Sequence, residues 1–315
     1  MSKRSTFLST IIAFTLLYSC QPDDVPRVIL NLPPPTSGKY ILFVADQDFN
    51  NGVTEFPSPY TAIYYANVDG TNVTRISPVE DGYYAYRPVW APDGKQVLYI
   101  RGNQADNDRS ICTIDVDGRH FKSGIIKGDE VDYASFSPDG NKIVYAKSLV
   151  HQFPYKYDMY VANRDGTSQK RITTFANQDG TIFNIHWASD GKIYFNLLNG
   201  AASGIYTISD DGSNLKYVSS AQFLLGISPD AKHILYDLGS GLYTSNNDGS
   251  NIKQIAAYDS EHPNVLVGGC WATDGTQVFV SNADYPANFG IFRMSSDGSN
   301  LKRILLGYYE YPSVF

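Results

Sequence analysis

Three kinds of residue in this chain carry usable chemistry: close pairs of aspartates, a few histidines and cysteines, and a large excess of tyrosine. Asp115-Val-Asp-Gly118 and Asp210-Asp-Gly212 bring two carboxylates together, as a calcium loop must. An EF-hand loop also needs further oxygen ligands and a closing Glu, and none follows either pair. No G-x-S-x-G segment occurs, so the nucleophile elbow of an α/β-hydrolase is missing. His120 and His233 fall in or beside turns and read as surface groups, while His151 and His262 fall in loops. His186 precedes Trp187 at the end of a strand. A metal would require His186 and His262 to converge, which the sequence does not demand. No metal or other cofactor is expected, and Cys112 and Cys270 read as buried free thiols on separate strands.

The aspartates belong to a repeat, which explains them better than a metal does. Six segments end an apolar strand in Asp-Gly at a fixed offset: Ile63–Asp69, Ile111–Asp117, Met159–Asp165, Ile205–Asp211, Leu242–Asp248 and Ile291–Asp297. A second phrase alternates with them: Trp90-Ala-Pro-Asp-Gly94, Phe136-Ser-Pro-Asp-Gly140, Trp187-Ala-Ser-Asp-Gly191, Ile227-Ser-Pro-Asp-Ala231 and Trp271-Ala-Thr-Asp-Gly275. Its Asp-to-Asp steps are 46, 51, 40 and 44 residues, the period of a four-stranded propeller blade. Each unit divides into strands A to D, with the two Asp-Gly turns joining A to B and C to D. In strand D an aliphatic residue falls seven positions after the Asp at Ile76, Ile172, Val218, Ile255 and Ile304. In the second unit Gly124 takes that place before Ile125, which predicts a bulge.

The N-terminal unit begins at strand B (Lys39–Phe43), so one strand A is missing there. The C-terminal Tyr311-Pro-Ser-Val-Phe315 matches Tyr86-Arg-Pro-Val-Trp90 and supplies it. The expected fold is all-β: a six-bladed propeller with four antiparallel strands per blade, over residues 38–315, closed by the C-terminal strand.

The W-[AS]-P-D-G-K-x-[IV]-x-[YF] phrase, as in Trp90–Tyr99 and Phe136–Tyr145, resembles the PD40 (WD40-like) repeat of TolB-type six-bladed propellers. The same repeat occurs in the propellers of prolyl-oligopeptidase-like peptidases and some lyases. The resemblance to TolB implies a protein partner, since that family's propeller docks a peptidoglycan-associated lipoprotein. No second domain is expected before the ring, which speaks against a Tol role. Lyases on related propellers bind metal through several His plus Gln.

Residues 1–19 read as a signal peptide: Lys3 and Arg4, an apolar run Phe7–Tyr18, then Leu17-Tyr-Ser-Cys20. Its end resembles a lipobox, with Cys20 as the lipidated residue. Residues 20–37 then form a Pro-rich tether, whose Gln21-Pro-Asp-Asp24 resembles that of surface-displayed lipoproteins. The expected place is the outer membrane, facing the periplasm or the cell surface, held by the lipid alone. Without Lys3 and Arg4 the chain has 23 basic against 32 acidic side chains, a net charge of −9. That balance argues against nucleic acid as a partner.

Short polar turns occupy one face of such a ring, and the variable B–C and D–A loops occupy the other, where recognition usually sits. The candidate binding residues on the loop side are Tyr84, Tyr86, Arg87, Asp132, Tyr133, Tyr155, Tyr157, His186, Tyr309 and Glu310. Tyrosine suits contact with a protein, peptide or glycan, offering a large face and a polar tip. The favoured function is a non-enzymatic, lipid-anchored binding or scaffold propeller. The alternative is a carbohydrate-active enzyme, lyase or hydrolase in type, working at the channel mouth.

Overall fold

The computed structural model describes residues 39–46, 60–78, 80, 82–103, 109–127, 131–150, 156–178, 180–221, 223–258, 266–282, 290–306 and 310–315. The signal segment, the tether with Cys20, and Tyr155, His262 and Tyr309 lie outside them.

The chain forms six four-stranded antiparallel sheets, each with strand A innermost and strand D at the rim. The innermost strands of blades two to six are Tyr83–Trp90, Val131–Phe136, Thr181–Trp187, Phe223–Ile227 and Leu266–Trp271. That of blade one is Glu310–Val314, which pairs with Tyr40–Asp46 and joins the two ends of the ring. Apart from two short 3-10 turns, Phe175–Gln178 and Gly200–Ala202, the described residues hold no helix.

The closing strand sits one residue away from the expected match. Ile41 pairs with Val314 as Val97 pairs with Trp90, so Val314, not Phe315, holds the tryptophan position. Phe315 donates its N–H to Tyr40 O at 3.1 Å, as Ala91 does to Gln96 O at 2.8 Å. Its ring packs on Trp90 with centroids 5.5 Å apart, and the Trp90 indole N–H bonds Ser313 O at 3.0 Å. The last residue thus seals blade one against blade two.

The aspartates do what local turn chemistry asks. In each C–D turn the Asp accepts the backbone N–H two residues on, at 2.8–3.0 Å. The A–B turns repeat the device from Asp93, Asp139, Asp190, Asp230 and Asp274. Gly166 is needed twice over: its φ is +84°, and a Cβ there would lie 1.9 Å from Ile125 O of the preceding blade.

Between blades the core is built from strand B, where Tyr99, Tyr145, Tyr194, Tyr236, Phe43, Phe195 and Phe279 are fully buried. Burial of each contributes on the order of 1.5–3 kcal/mol. The expected bulge in blade two is present, with Gly124 at φ +63°. It hands the core position to Ile126, while blade six uses Leu305 beside the less buried Ile304.

Candidate functional site

Every innermost strand breaks register with its strand B, at Tyr86/Val89, Asp132/Ala134, Phe183/His186, Leu224/Gly226, Leu266/Gly268 and opposite Leu42/Val44. Each bulge turns one residue toward the axis. In four blades that residue is not glycine yet takes left-handed backbone: Arg87 at φ +52°, Tyr133 at +45°, Asn184 at +51° and Tyr311 at +52°. Such a conformation costs on the order of 1–3 kcal/mol per residue and persists only where packing imposes it. The other left-handed non-glycine residues lie in the Asp-Gly turns or, for Ala231, in the Asp-Ala turn of blade five.

All four of these side chains line a central channel of about 390 Å³ bounded by the six innermost strands. Its most polar feature is Arg87. The guanidinium carbon stands 3.6 Å from the Tyr133 ring centroid and 4.8 Å from that of Tyr311. Beneath it, Asp132 Oδ1 lies 2.8 Å from Arg87 Nε, and Asp132 Oδ2 lies 3.1 Å from Arg109 Nη1. The Asp132 side chain is 7% exposed, so one carboxylate joins two guanidinium groups in a nearly dry setting. Burial works against the charge of Arg87, but Asp132 and the surrounding tyrosine hydroxyls outweigh it and hold its pKa above the ordinary range. Burial pushes the Tyr133 hydroxyl up to about 12, so it stays protonated and able to donate.

A chain of rings continues the collar: Tyr133 to Phe183 at 6.4 Å and Phe183 to Phe223 at 6.3 Å between centroids. Phe223 is 51% exposed. Phe183, Phe223, Asn184, Arg109 and Tyr311 were not among the ten candidate residues. Their signal was available in part, because Phe183 and Phe223 occupy the strand position that Tyr86 holds in blade two.

Of the ten candidates, Arg87, Tyr133 and His186 border the channel, and Asp132 anchors the first of them. Tyr86 stands behind Arg87, its hydroxyl buried with no hydrogen-bond partner among the described residues. Tyr84 packs against Tyr86 at 5.4 Å, and Tyr157 is buried, with its hydroxyl 3.4 Å from Arg109 Nη1. Tyr84, Tyr86 and Tyr157 thus shape the site from outside the channel. Glu310 pairs with Val44 through its backbone, and Tyr155 and Tyr309 lie outside the described residues.

His186 shows part of its ring to the channel, but the six strands enclose it, and burial pushes its pKa down to about 4. The imidazole is therefore neutral at neutral pH. The unfolded chain takes up this proton near pH 6.5, above the folded pKa. Stability from His186 is thus complete above about pH 6.5, falls as pH drops toward 4, and levels off below. Thermal melts from pH 7 to 4 should slope less steeply for His186→Phe than for the parent. Equal slopes would remove His186 from the pH response.

Cys112 is buried, whereas Cys270 opens partly to the channel, which corrects the expectation that both thiols are buried. Burial holds the Cys270 thiol up at about 12, so it is not a thiolate nucleophile. Among the described residues no group of three or more His, Cys, Asp or Glu is placed to hold a metal. No helix among them is long and apolar enough to cross a membrane.

No family model matches the chain, and no curated protein does. Solved structures do. TolB from Acinetobacter baumannii superposes with a TM-score of 0.66 at 17% identity, over 87% of this chain and 66% of that one. Hydrazine synthase of Kuenenia stuttgartiensis gives 0.65 at 14% identity, over 87% of this chain and 46% of that one. An oligogalacturonate lyase in complex with manganese gives 0.56 at 12% identity, over 74% of this chain and 71% of that one. This chain thus spans about two thirds of the TolB length and less than half of the synthase. At such identities the likeness is one of fold, and in fold this chain is a six-bladed propeller of the TolB type.

Proposed function

We propose that the ring is a binding propeller of the cell envelope, taking a segment of a protein, a peptide or a glycan at the channel mouth. It is held to the membrane by a lipid on Cys20 and has no catalytic role. One observation carries this reading: four non-glycine residues, Arg87, Tyr133, Asn184 and Tyr311, hold left-handed backbone, and all four line the channel. Strain spent at one concave place, by residues with hydrogen-bonding and stacking side chains, is what a preformed binding site requires. The exposed face of Phe223 and the Tyr133 ring supply anchors, and Arg87 supplies a fixed, fully charged donor. The competing reading, an enzyme of the lyase type, needs a base or a metal beside the channel. His186 is neutral, but a pKa of about 4 makes it a weak base, and no carboxylate or second histidine lines the channel with it among the described residues.

Peptide and glycan arrays probed with the protein would identify the ligand class. For the ligand found, Tyr133→Ala with Phe223→Ala should weaken binding by about 2–4 kcal/mol. Asn214→Ala with Asn251→Ala, in turns on the opposite face, should leave binding unchanged. Loss of binding in the turn variant with retention in the ring variant would move the site to the other face.

A further inference from the structure

The six blades repeat one another closely enough that each junction between neighbours can be compared with the other five. Two positions meet at every junction on the turn face. One is the residue that opens strand B of the leading blade, or in blade four stands just before it: Tyr40, Gln96, Lys142, Lys192, His233 and Gln277. The other follows strand C of the next blade: Val116, Arg164, Asp210, Asn247, Ser296 and, completing the circle, Val68. The backbone marks this second position in five blades, where its N–H donates to the carbonyl of the residue just before strand B of its own blade.

Side chains close three of these junctions. Between blades one and two, Tyr40, Val116 and Phe315 all pack against the same buried apolar cluster. Between three and four, Lys142 Nζ meets Asp210 Oδ2 at 2.8 Å. Between two and three, Arg164 fills the slot. Its Nε and Nη2 bond Gln96 Oε1 at 3.3 and 3.2 Å, and its Nη1 lies 3.2 Å from Asp93 Oδ2 and 3.5 Å from Gly140 O. Its guanidinium carbon stands 5.2 Å from the Phe136 ring centroid.

Between blades five and six the same walls stand without that filler. Asp230 replaces Asp93, Gly275 replaces Gly140, Trp271 replaces Phe136, His233 replaces Gln96, and the short Ser296 replaces Arg164. The result is a pocket of about 600 Å³ that also includes Asp274. Asp230 Oδ1 is engaged in its own turn by Ser228 Oγ and Lys232 N, at 2.7 and 3.1 Å. Asp230 Oδ2 lies 3.8 Å from Lys232 Nζ, beyond hydrogen-bond length. The Trp271 indole N–H is buried with no hydrogen-bond partner among the described residues, whereas those of Trp90 and Trp187 bond backbone carbonyls.

We propose that this pocket binds a guanidinium group supplied in trans, seated as Arg164 is seated one half-turn around the ring. Asp230 Oδ2 and Gly275 O accept its N–H groups, and Trp271 offers the aromatic face that guanidinium favours most. The negative charge of the protein draws such cations toward it. The site is independent of the channel mouth and lies on the opposite face. Its ligand is either an arginine side chain on a polypeptide or a small guanidinium compound.

The test is titration of the full protein with N-acetyl-arginine amide, read at the Trp271 indole N–H resonance, which Trp271→Phe identifies. Saturable shifts are expected, at least about tenfold stronger than with N-acetyl-lysine amide, because ammonium lacks the planar fork. Ser296→Arg should fill the pocket with the chain's own guanidinium and abolish the response. Asp230→Asn keeps the turn acceptor and should weaken binding about tenfold or more by removing the charge. A Gly-Gly-Arg-Gly-Gly peptide that binds about tenfold tighter than the free amide assigns the source to a polypeptide; equal binding assigns it to a small molecule. No shift at Trp271, or undiminished binding by Ser296→Arg, overturns the proposal.

Discussion

Deleting residues 308–315 should lower the unfolding free energy by about 5 kcal/mol or more, the scale of losing a strand's apolar contacts, the partly buried Phe315 among them, with its ladder bonds. The physical reasons are specific. Blade one would lose its innermost strand, so Ile41, Leu42 and Val44 of strand B, all buried, would face the channel with unpaired backbone. Trp90 would lose both the Phe315 ring at 5.5 Å and the Ser313 carbonyl at 3.0 Å, leaving a buried indole N–H without an acceptor. An open inner edge also invites pairing between molecules, so the truncated protein should aggregate on heating. Urea unfolding of both proteins measures the difference. A synthetic peptide spanning residues 306–315 should restore part of the lost stability, because the strand is joined to the ring by pairing and packing. An unchanged urea midpoint would mean that the ring is closed by something other than this strand.

The fold was legible because its signals are local and repeated. An Asp whose carboxylate accepts the N–H two residues on needs only its own turn, so the C–D turn recurs in all six blades regardless of what lies around it. Closure was legible for the same reason, by counting strands. The register of the closing strand was not. Matching Phe315 to Trp90 paired two aromatics by type, but the pairing of Ile41 with Val314 is decided by which residue also fits against the next blade. The channel site was legible only in part. Arg87, Asp132 and Tyr133 could be named from their place before the Pro-Asp-Gly phrase. What brings them to the channel is the bulge that turns Arg87, Tyr133, Asn184 and Tyr311 inward, and although Asn takes left-handed backbone readily, no residue type announces it at Arg or Tyr. Arg109 lay outside any such rule, since it reaches Asp132 from strand C of the same blade as Arg87. The junction between blades five and six becomes readable only when the six copies are aligned on strand pairing, because Ser296 is unremarkable until Arg164 stands beside it.

Asp132→Asn should destabilise the protein by about 3–5 kcal/mol, since one carboxylate neutralises two guanidinium groups that water scarcely reaches. The amide preserves shape, and its oxygen can still accept the Tyr133 N–H, which bonds Asp132 Oδ1 at 2.9 Å. What disappears is the charge. Arg87 is 17% exposed and Arg109 20% exposed, and both keep their protons at any pH the fold survives, so neither can escape the cost by becoming neutral. Cation–π contact with Tyr133, at 3.6 Å, contributes to holding Arg87 but amounts to only about 1–2 kcal/mol. A double-mutant cycle separates this account from simple loss of packing. Arg87→Met removes the buried charge nearest the carboxylate while keeping an unbranched side chain. If the carboxylate acts by neutralisation, Arg87→Met with Asp132→Asn should be more stable than the sum of the single effects implies, by about 1–3 kcal/mol. Urea unfolding of the four proteins provides the numbers. Strict additivity would show that Asp132 is held for its shape, and Arg87 would then owe its left-handed backbone and its seat between two tyrosines to packing alone.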